Sequence, residues 1–295
     1  MDFLRLLEGV RTPFLDKLFQ LITYFGQELI IIAVICALYW CIDKRFAYQV
    51  GFVFFSAGLF VQACKITFRV PRPWVLDPSF HPVKSAIGGA TGYSFPSGHT
   101  QGGTSLFAPL ALHSKKIGGK VLCIFAFLAI GFSRLYLGVH TPKDVLVSMG
   151  ISLLFSWLVW HYEEWFFKDN SHVKILSIGL SVISILVCLY SLFLLSTGTI
   201  DIHYATDCCK VGATGLGFSL GFYLERTYLN FKTQTKTTRG QIFKLLFGLS
   251  IAILLKIGAK MLFGSSILFH MLEYFLLVLW VLIIYPYCFS KLRPH

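Results

Sequence analysis

Charged side chains are scarce in this sequence. Asp, Glu, Lys and Arg make up 14% of its 295 residues, whereas a water-soluble domain carries roughly 25%. Hydrophobic residues reach 56%, and the mean hydropathy is +0.70. Many of them form long uncharged runs, and a globule of this size cannot cover all of these runs. Lipid must cover the rest, so the composition argues against a soluble protein.

The cysteines also lack the spacing that is typical of metal sites and of disulfide frameworks. The eight cysteines form no CxxC pair and no Cys/His ligand pattern, so neither a zinc site nor a disulfide framework is expected. The first segment of the chain lacks a small-residue cleavage site, so we do not expect a secretory signal peptide. Its apolar residues recur near the helical period, which predicts an interfacial amphipathic helix within residues 1–25.

The long apolar runs predict the fold class, an all-α, polytopic transmembrane helical bundle. A spanning helix needs about 20 mostly apolar residues. We expect about nine spans, at residues 28–42, 48–67, 99–113, 120–133, 142–161, 173–195, 205–224, 241–262 and 266–289. No internal repeat or linker divides the chain, so residues 1–295 are predicted to form a single membrane domain. Its parts are the interfacial helix 1–25, a core 26–165 that carries the motifs below, and additional transmembrane helices 166–295.

Basic residues between the apolar runs predict the orientation in the membrane. The net charge is +12, but Lys and Arg do not cluster on one water-exposed face, so no nucleic-acid partner is expected. The strongest basic block lies in one set of loops, namely residues 43–45, 113–120, 162–172 and 225–244 together with the tail 291–295. Its residues are Arg226, Lys232, Lys236, Arg239 and Lys244, supported by Lys115, Lys116 and Lys120. The positive-inside rule places these loops in the cytoplasm. The N-terminus and the charged motifs then face outward.

The first of three charged segments is Lys65-x6-Arg72-Pro73, at the end of an apolar run. A buried ammonium needs a counter-anion. Together, Lys65 and Arg72 offer a point charge and a planar fork, which suit a tetrahedral oxyanion. The alternative is a lysine that snorkels to the interface and an arginine that lies there.

The second segment, Ser97-Gly98-His99, opens a predicted helix. Free backbone N–H groups at a helix start bind phosphate, and a glycine lets the backbone approach a ligand closely. His99 would then lie in the first turn, within reach of the bound group. The alternative is an N-cap serine beside an interfacial histidine.

The third segment carries Arg134, His140 and Asp144. A histidine and an aspartate four residues apart face the same way at a helix start. A carboxylate bonded to one imidazole nitrogen leaves the other nitrogen as a nucleophile. The alternative is a helix-capping ion pair. All three segments fall on one predicted membrane face, and together they supply the groups for phosphoryl transfer without a metal.

In this order, the patterns Lys-x6-Arg-Pro, Pro-Ser-Gly-His and Ser-Arg-x5-His-x3-Asp resemble those of the type 2 phosphatidic acid phosphatase (PAP2) superfamily. That family includes lipid phosphate phosphatases, undecaprenyl diphosphate phosphatases, glucose-6-phosphatase and the vanadium haloperoxidases. The resemblance implies a helical core of about six spans. The predicted helices beyond that core would be additional to it.

The resemblance also implies a role for each motif residue. His140 would attack phosphorus and form a phosphohistidine, and Asp144 would orient it. His99 would protonate the leaving alkoxide and then activate water. The phosphate oxygens would be bound by Lys65, Arg72, Ser97, Gly98 and Arg134. No metal and no cofactor are implied.

The expected function is metal-independent hydrolysis of a phosphate monoester or diphosphate on a membrane lipid. Two alternatives stay open: a phosphatase of a small soluble ester, similar to glucose-6-phosphatase, and a non-catalytic transporter or scaffold on the same helical frame. A soluble haloperoxidase does not fit the composition. The long loop 68–98 is expected to select the substrate, with headgroup contacts from Trp74, Phe80, His81, Lys84 and Tyr93.

Overall fold

The computed structural model describes residues 1–233, 237–262 and 266–292, and within these ranges it contains helices and no β-strand. The predicted all-α class is therefore confirmed. The helices are α1 (Asp2–Gly9), α2 (Pro13–Tyr24), α3 (Glu28–Ala37), α4 (Lys44–Phe68), α5 (Pro73–Leu76), α6 (Lys84–Ile87), α7 (Gly98–His113), α8 (Ile117–Tyr136), α9 (Pro142–His161), α10 (Glu163–Phe166), α11 (Asn170–Ser196), α12 (Ile202–Leu224), α13 (Thr238–Leu262), α14 (Ile267–Leu279) and α15 (Tyr285–Leu292). Helices α3, α12 and α14 continue into the π-helical turns Leu38–Ile42, Glu225–Leu229 and Trp280–Ile284.

Six helical stretches in the described ranges are long and apolar enough to cross a membrane: Lys44–Leu76, Ile117–Tyr136, Pro142–His161, Asn170–Ser196, Thr238–Ala259 and Ile267–Lys291. The pair Pro13–Tyr24 and Glu28–Ile42 is bent by 45° and would add a seventh. The predicted spans 99–113 and 205–224 are helical as α7 and α12, but neither is among the six. The total of nine spans stays a prediction. Lys236 and residues 293–295 lie outside the described residues.

Two helices replace the single helix predicted within residues 1–25. Helix α1 ends at Gly9, and α2 begins at Pro13. The side chain of Thr12 caps α2 by accepting a hydrogen bond from Leu15 N at 3.3 Å. Proline at the first helical position has the fixed backbone angle that a helix start needs, so the Thr-Pro pair starts a new helix here.

The first compact unit comprises Met1–Ile32 and Phe60–Trp160. Helix α7 is its most enclosed element, and it packs against α8. Small residues allow this close packing: an added Cβ at Gly103 would lie 2.8 Å from Ile130 Cδ1, and one at Gly102 would lie 2.9 Å from Gly26 O. A buried cluster that includes Leu4, Phe80, Phe127 and Val145 fills the space beside these helices. All three charged motifs belong to this unit.

The second unit comprises Ala33–Leu59 and His161–His295. Helix α12 packs against α11 and α14. Glycines on α12 allow the contacts, since an added Cβ at Gly217 would lie 2.9 Å from Phe275 O. Such small-residue interfaces are typical of membrane helices, where close packing rather than the hydrophobic effect holds helices together. Glu225 is fully buried there, and it accepts hydrogen bonds from Lys44 Nζ and Tyr48 Oη, both at 2.7 Å.

Candidate active site

Arg72 of the first motif contacts His140 of the third, and it is buried just beyond the end of α4. Arg72 Nε donates to Gly92 O at 2.8 Å, and Nη1 donates to Val139 O at 2.9 Å. The same Nη1 lies 3.0 Å from His140 Nε2. A guanidinium has no acceptor, so Nε2 must accept and carries no proton. The ring proton of His140 is therefore on Nδ1.

Asp144 lies on the Nδ1 side of His140, at the start of α9. Its Oδ2 accepts from Ser94 Oγ at 2.6 Å and from Thr141 N at 2.8 Å. The same oxygen is 3.4 Å from His140 Nδ1, which is longer than an ordinary N–H···O hydrogen bond. Within the described residues Nδ1 has no hydrogen-bond partner. Ser94 and Thr141 thus hold the carboxylate beside the imidazole, from where the contact can tighten in a substrate complex.

Lys65 and Arg134 bring two further cations to the site. Lys65 Nζ, on the last turn of α4, donates to Tyr93 O at 2.8 Å. Arg134 lies in the last turn of α8 and is 2% exposed. Its Nη1 donates to Thr23 Oγ1 at 2.9 Å, while Nε and Nη2 are buried without a hydrogen-bond partner in the part of the chain that is described. Buried donors of this kind favour an anion as their partner.

The second motif forms the first turn of α7. Ser97 is the N-cap and accepts from Thr100 N at 3.4 Å. The N–H of Ser97 donates to Asp144 O at 3.1 Å, so it belongs to the link with α9. An added Cβ at Gly98 would meet nothing within 4 Å, which leaves open space beside this glycine. His99 follows in the first turn and is half-buried.

The charges of Arg72, Arg134 and Lys65 act on both imidazoles of the motifs. Burial is the largest cause that lowers the pKa of His140, and the three cations lower it further. A low pKa keeps the His140 ring neutral, which is the form that has a free lone pair. The site therefore combines a neutral imidazole with a surplus of positive charge, and this combination suits attack on a bound oxyanion.

The structure brings the predicted residues of all three motifs into one unit and adds contacts that the sequence did not indicate. Ser94 and Thr23 bond to Asp144 and Arg134, and the carbonyl of Tyr93 bonds to Lys65. Phe80, an expected headgroup contact, is instead 1% exposed in the hydrophobic cluster. No local pattern marks a backbone carbonyl as a partner. Only the position of Ser94 beside the second motif gave a signal.

Comparison with known protein families matches two parts of the chain. Residues 46–168 match the PAP2 superfamily, and residues 209–295 match the PAP2 superfamily phosphatase, transmembrane extension. The chain belongs to the PAP2 superfamily, and the resemblance seen in its motifs is confirmed.

Several characterised proteins are similar to the chain. Undecaprenyl-diphosphatase BcrC of Bacillus subtilis is 34% identical over 37% of this chain and 53% of its own length. Human sphingosine-1-phosphate phosphatase 2 is 25% identical over 74% of this chain and 54% of its own length. Phosphatidylglycerophosphatase B of Bacillus subtilis is 25% identical over 52% of this chain and 78% of its own length. The chain thus spans about half the length of the first two relatives.

Among solved structures, the crystal structure of Aquifex aeolicus LpxE aligns with a TM-score of 0.46 at 24% identity. The alignment covers 55% of this chain and 94% of that chain.

Proposed function

We propose that the chain is a phosphatase that hydrolyses a phosphate ester or diphosphate on a membrane lipid, with His140 as the nucleophile. The observation that carries the proposal is the alignment of Arg72, His140 and Asp144, because it leaves Nε2 unprotonated beside a cation. The relatives support the substrate class, since undecaprenyl diphosphate, sphingosine 1-phosphate and phosphatidylglycerophosphate are all lipids.

The proposed reaction has two displacement steps. Lys65, Arg72 and Arg134 neutralise the phosphate oxygens, and Ser97 with the Gly98 N–H adds hydrogen bonds. In the first step His140 Nε2 bonds to phosphorus while the bond from phosphorus to the lipid oxygen breaks. His99 gives its proton to the leaving oxygen, and Asp144 stabilises the charged ring through Nδ1–H. These groups supply the charge that the transfer requires, so the mechanism needs no metal.

In the second step water attacks the phosphohistidine. His99, now neutral, takes a proton from the water as the phosphorus–nitrogen bond breaks. Inorganic phosphate leaves, and His140 regains its neutral form. The lipid alcohol keeps the proton from step one, and a proton from water replaces it on His99, so both histidines regain their starting protonation states.

The residues next to Arg72 support a lipid substrate. Phe68, Val75 and Leu76 flank it in sequence and are 59%, 60% and 55% exposed. Apolar side chains beside a buried cation suit a molecule with a charged head and a hydrocarbon tail. We also propose that the site faces the extracytoplasmic side, because the loops richest in Lys and Arg are predicted to be cytoplasmic.

The test is phosphate release by purified protein from a panel of lipid phosphates and diphosphates, with and without a chelator. Hydrolysis of at least one lipid, unchanged by the chelator, is expected. His140→Ala should lower the rate at least about 10³-fold, since a nucleophile has no substitute. The matched control is His113→Ala, because His113 is exposed at the far end of α7.

Two results would reject this function. Equal rates for wild type and His140→Ala would remove the nucleophile from the mechanism and favour a transporter or scaffold. A sugar phosphate hydrolysed as fast as every detergent-solubilised lipid would indicate a phosphatase of small soluble esters.

A further inference from the structure

Among the described residues, the side chain of Arg134 is hydrogen-bonded at one of its three nitrogens. Its Nη1 donates to Thr23 Oγ1 at 2.9 Å, and both side chains are enclosed, with exposures of 2% for Arg134 and 0% for Thr23. The other two nitrogens, Nε and Nη2, have no hydrogen-bond partner among the described residues. These two N–H groups lie along one edge of the planar guanidinium, where they form a fork that matches two oxygens of a phosphate.

We propose that Thr23 is a positioning residue, which orients the guanidinium of Arg134 so that this fork meets the substrate phosphate. The proposal rests on the proposed function. An arginine side chain has many rotamers, and a fixed acceptor at Nη1 selects among them before the substrate binds. The entropic cost of ordering the side chain then does not weaken phosphate binding.

The chemistry of the acceptor fits this role. A hydroxyl oxygen is neutral, so it fixes the direction of Arg134 without cancelling its charge. An aspartate or glutamate in the same place would neutralise the guanidinium and weaken its attraction for an anion. Thr23 therefore provides direction, and the positive charge stays available for phosphate.

The backbone around Thr23 also fixes its place relative to the second motif. Thr23 precedes the 45° bend between α2 and α3, and Gly26 lies within that bend. An added Cβ at Gly26 would lie 2.5 Å from the carbonyl oxygen of His99, so the bend lies directly against the first turn of α7. One bend thus contacts the segments that carry His99 and Arg134. It lies outside residues 46–168, the part that matches the PAP2 superfamily.

The test compares Thr23→Val with two matched variants. Thr23→Val keeps the side-chain volume and removes the acceptor, whereas Thr23→Ser keeps a hydroxyl. Thr104→Val is the control, because Thr104 is 0% exposed in the same unit and its hydroxyl has no hydrogen-bond partner among the described residues. The readouts are kcat and KM for a lipid phosphate, the inhibition constant for orthovanadate, and the thermal midpoint.

Thr23→Val is expected to raise the inhibition constant for orthovanadate, and to lower kcat/KM, by roughly tenfold. Thr23→Ser should recover most of both losses, and Thr104→Val should resemble wild type. In an Arg134→Lys background, Thr23→Val should cause little further loss, since residues that act as a unit are not additive. If Thr23→Val does not fold, Thr23→Ala removes the same acceptor without adding a methyl group.

Two outcomes would overturn the proposal. In the first, Thr23→Val has the same kcat/KM and the same orthovanadate inhibition constant as Thr104→Val. In the second, Thr23→Val lowers kcat/KM by the same factor in the Arg134→Lys background as in the wild type. Both differ from failure of the proposed function, in which wild type releases no phosphate from any lipid. In that case, stabilisation of the folded protein by orthovanadate still measures the effect of Thr23 on anion binding.

Discussion

Arg72 Nη1 is 3.0 Å from His140 Nε2, the nitrogen that faces away from Asp144. The contact holds the imidazole in the tautomer that the proposed reaction requires, but it also occupies the lone pair that would attack phosphorus. Phosphate oxygens attract a guanidinium more strongly than a neutral ring nitrogen does. We therefore expect substrate binding to draw Arg72 onto the phosphate and to release Nε2 for attack.

Arg72→Lys tests this double role. Lysine keeps the positive charge, but it cannot hold Gly92 O, Val139 O and a phosphate at fixed angles. A loss of kcat/KM of about 30-fold to 100-fold is expected from steady-state kinetics with a lipid phosphate. Arg69→Lys is the control, because Arg69 is exposed and its side chain donates locally, to Ile66 O at 2.9 Å. An Arg72→Lys variant as active as the Arg69→Lys control would contradict the assigned role.

Ser94→Ala tests how Asp144 is held. The change removes the donor that lies 2.6 Å from Asp144 Oδ2, while Thr141 N continues to donate. The carboxylate then orients His140 less well, so kcat should fall roughly tenfold. Phosphate binding does not use Asp144 directly, so the inhibition constant for orthovanadate should change little.

Ser156→Ala is the matched control for Ser94→Ala. Ser156 is also buried, but its hydroxyl donates to Ser152 O within its own helix. Equal kcat values for the two variants would remove Ser94 from the mechanism.

The pH dependence of kcat/KM should be bell-shaped. Burial and three nearby cations lower the pKa of His140, so the ring stays neutral below its ordinary pKa of about 6.5. The acid limb of the profile is therefore expected below about pH 6.5. The negative charge of a bound phosphate offsets the three cations that also act on His99, and loss of the proton that His99 would donate should produce the alkaline limb. A flat profile from pH 5 to 9, in a variant or assay where chemistry limits turnover, would contradict this pair.

Lys65→Met should move the acid limb. Removing a positive charge beside His140 makes protonation of the ring easier, so the pKa of His140 rises and the limb shifts to higher pH. The control is Lys115→Met, since Lys115 is exposed and is not among the charges that lower the pKa of His140. A shift to lower pH, or equal profiles for both variants, would show that Lys65 does not act on His140.

The side of the membrane that the site faces can be measured with Gly88→Cys. Gly88 is exposed, and an added Cβ there would meet nothing within 4 Å, so a cysteine fits. A membrane-impermeant maleimide should label this cysteine in intact cells above the background from the eight native cysteines. Lys168→Cys, in a predicted cytoplasmic loop, should be labelled only after permeabilisation. The reverse pattern would place the site in the cytoplasm.

Much of the site was predictable because each motif carries its own local signal. Charge inside an apolar run is costly, so Lys65, Arg134 and Asp144 stood out in a sequence with so few charged residues. The predicted span 142–161 starts at a proline, which suits a first helical position, and α9 begins at that residue. The single helix predicted within residues 1–25 was wrong, because Thr12 and Pro13 cap a second helix there.

The supporting contacts were not predictable, because they join residues far apart in the chain. Thr23 and Arg134 are separated by 111 positions, and Ser94 and Asp144 by 50. Thr23 does not differ in sequence from an ordinary buried hydroxyl, and only its position three residues before Ser97 sets Ser94 apart. The partners of Arg72 include the backbone carbonyls of Gly92 and Val139, and a carbonyl has no residue type that could mark it.

The sequence by itself determined that the chain is helical and apolar, and that it carries the PAP2 motifs, because hydropathy and motif spacing are properties of neighbouring residues. The tertiary structure decided which nitrogen of His140 carries the proton and which edge of Arg134 stays open. Those choices depend on where Arg72 and Thr23 lie after folding, and hydrogen-bond geometry exists only once distant segments have packed together.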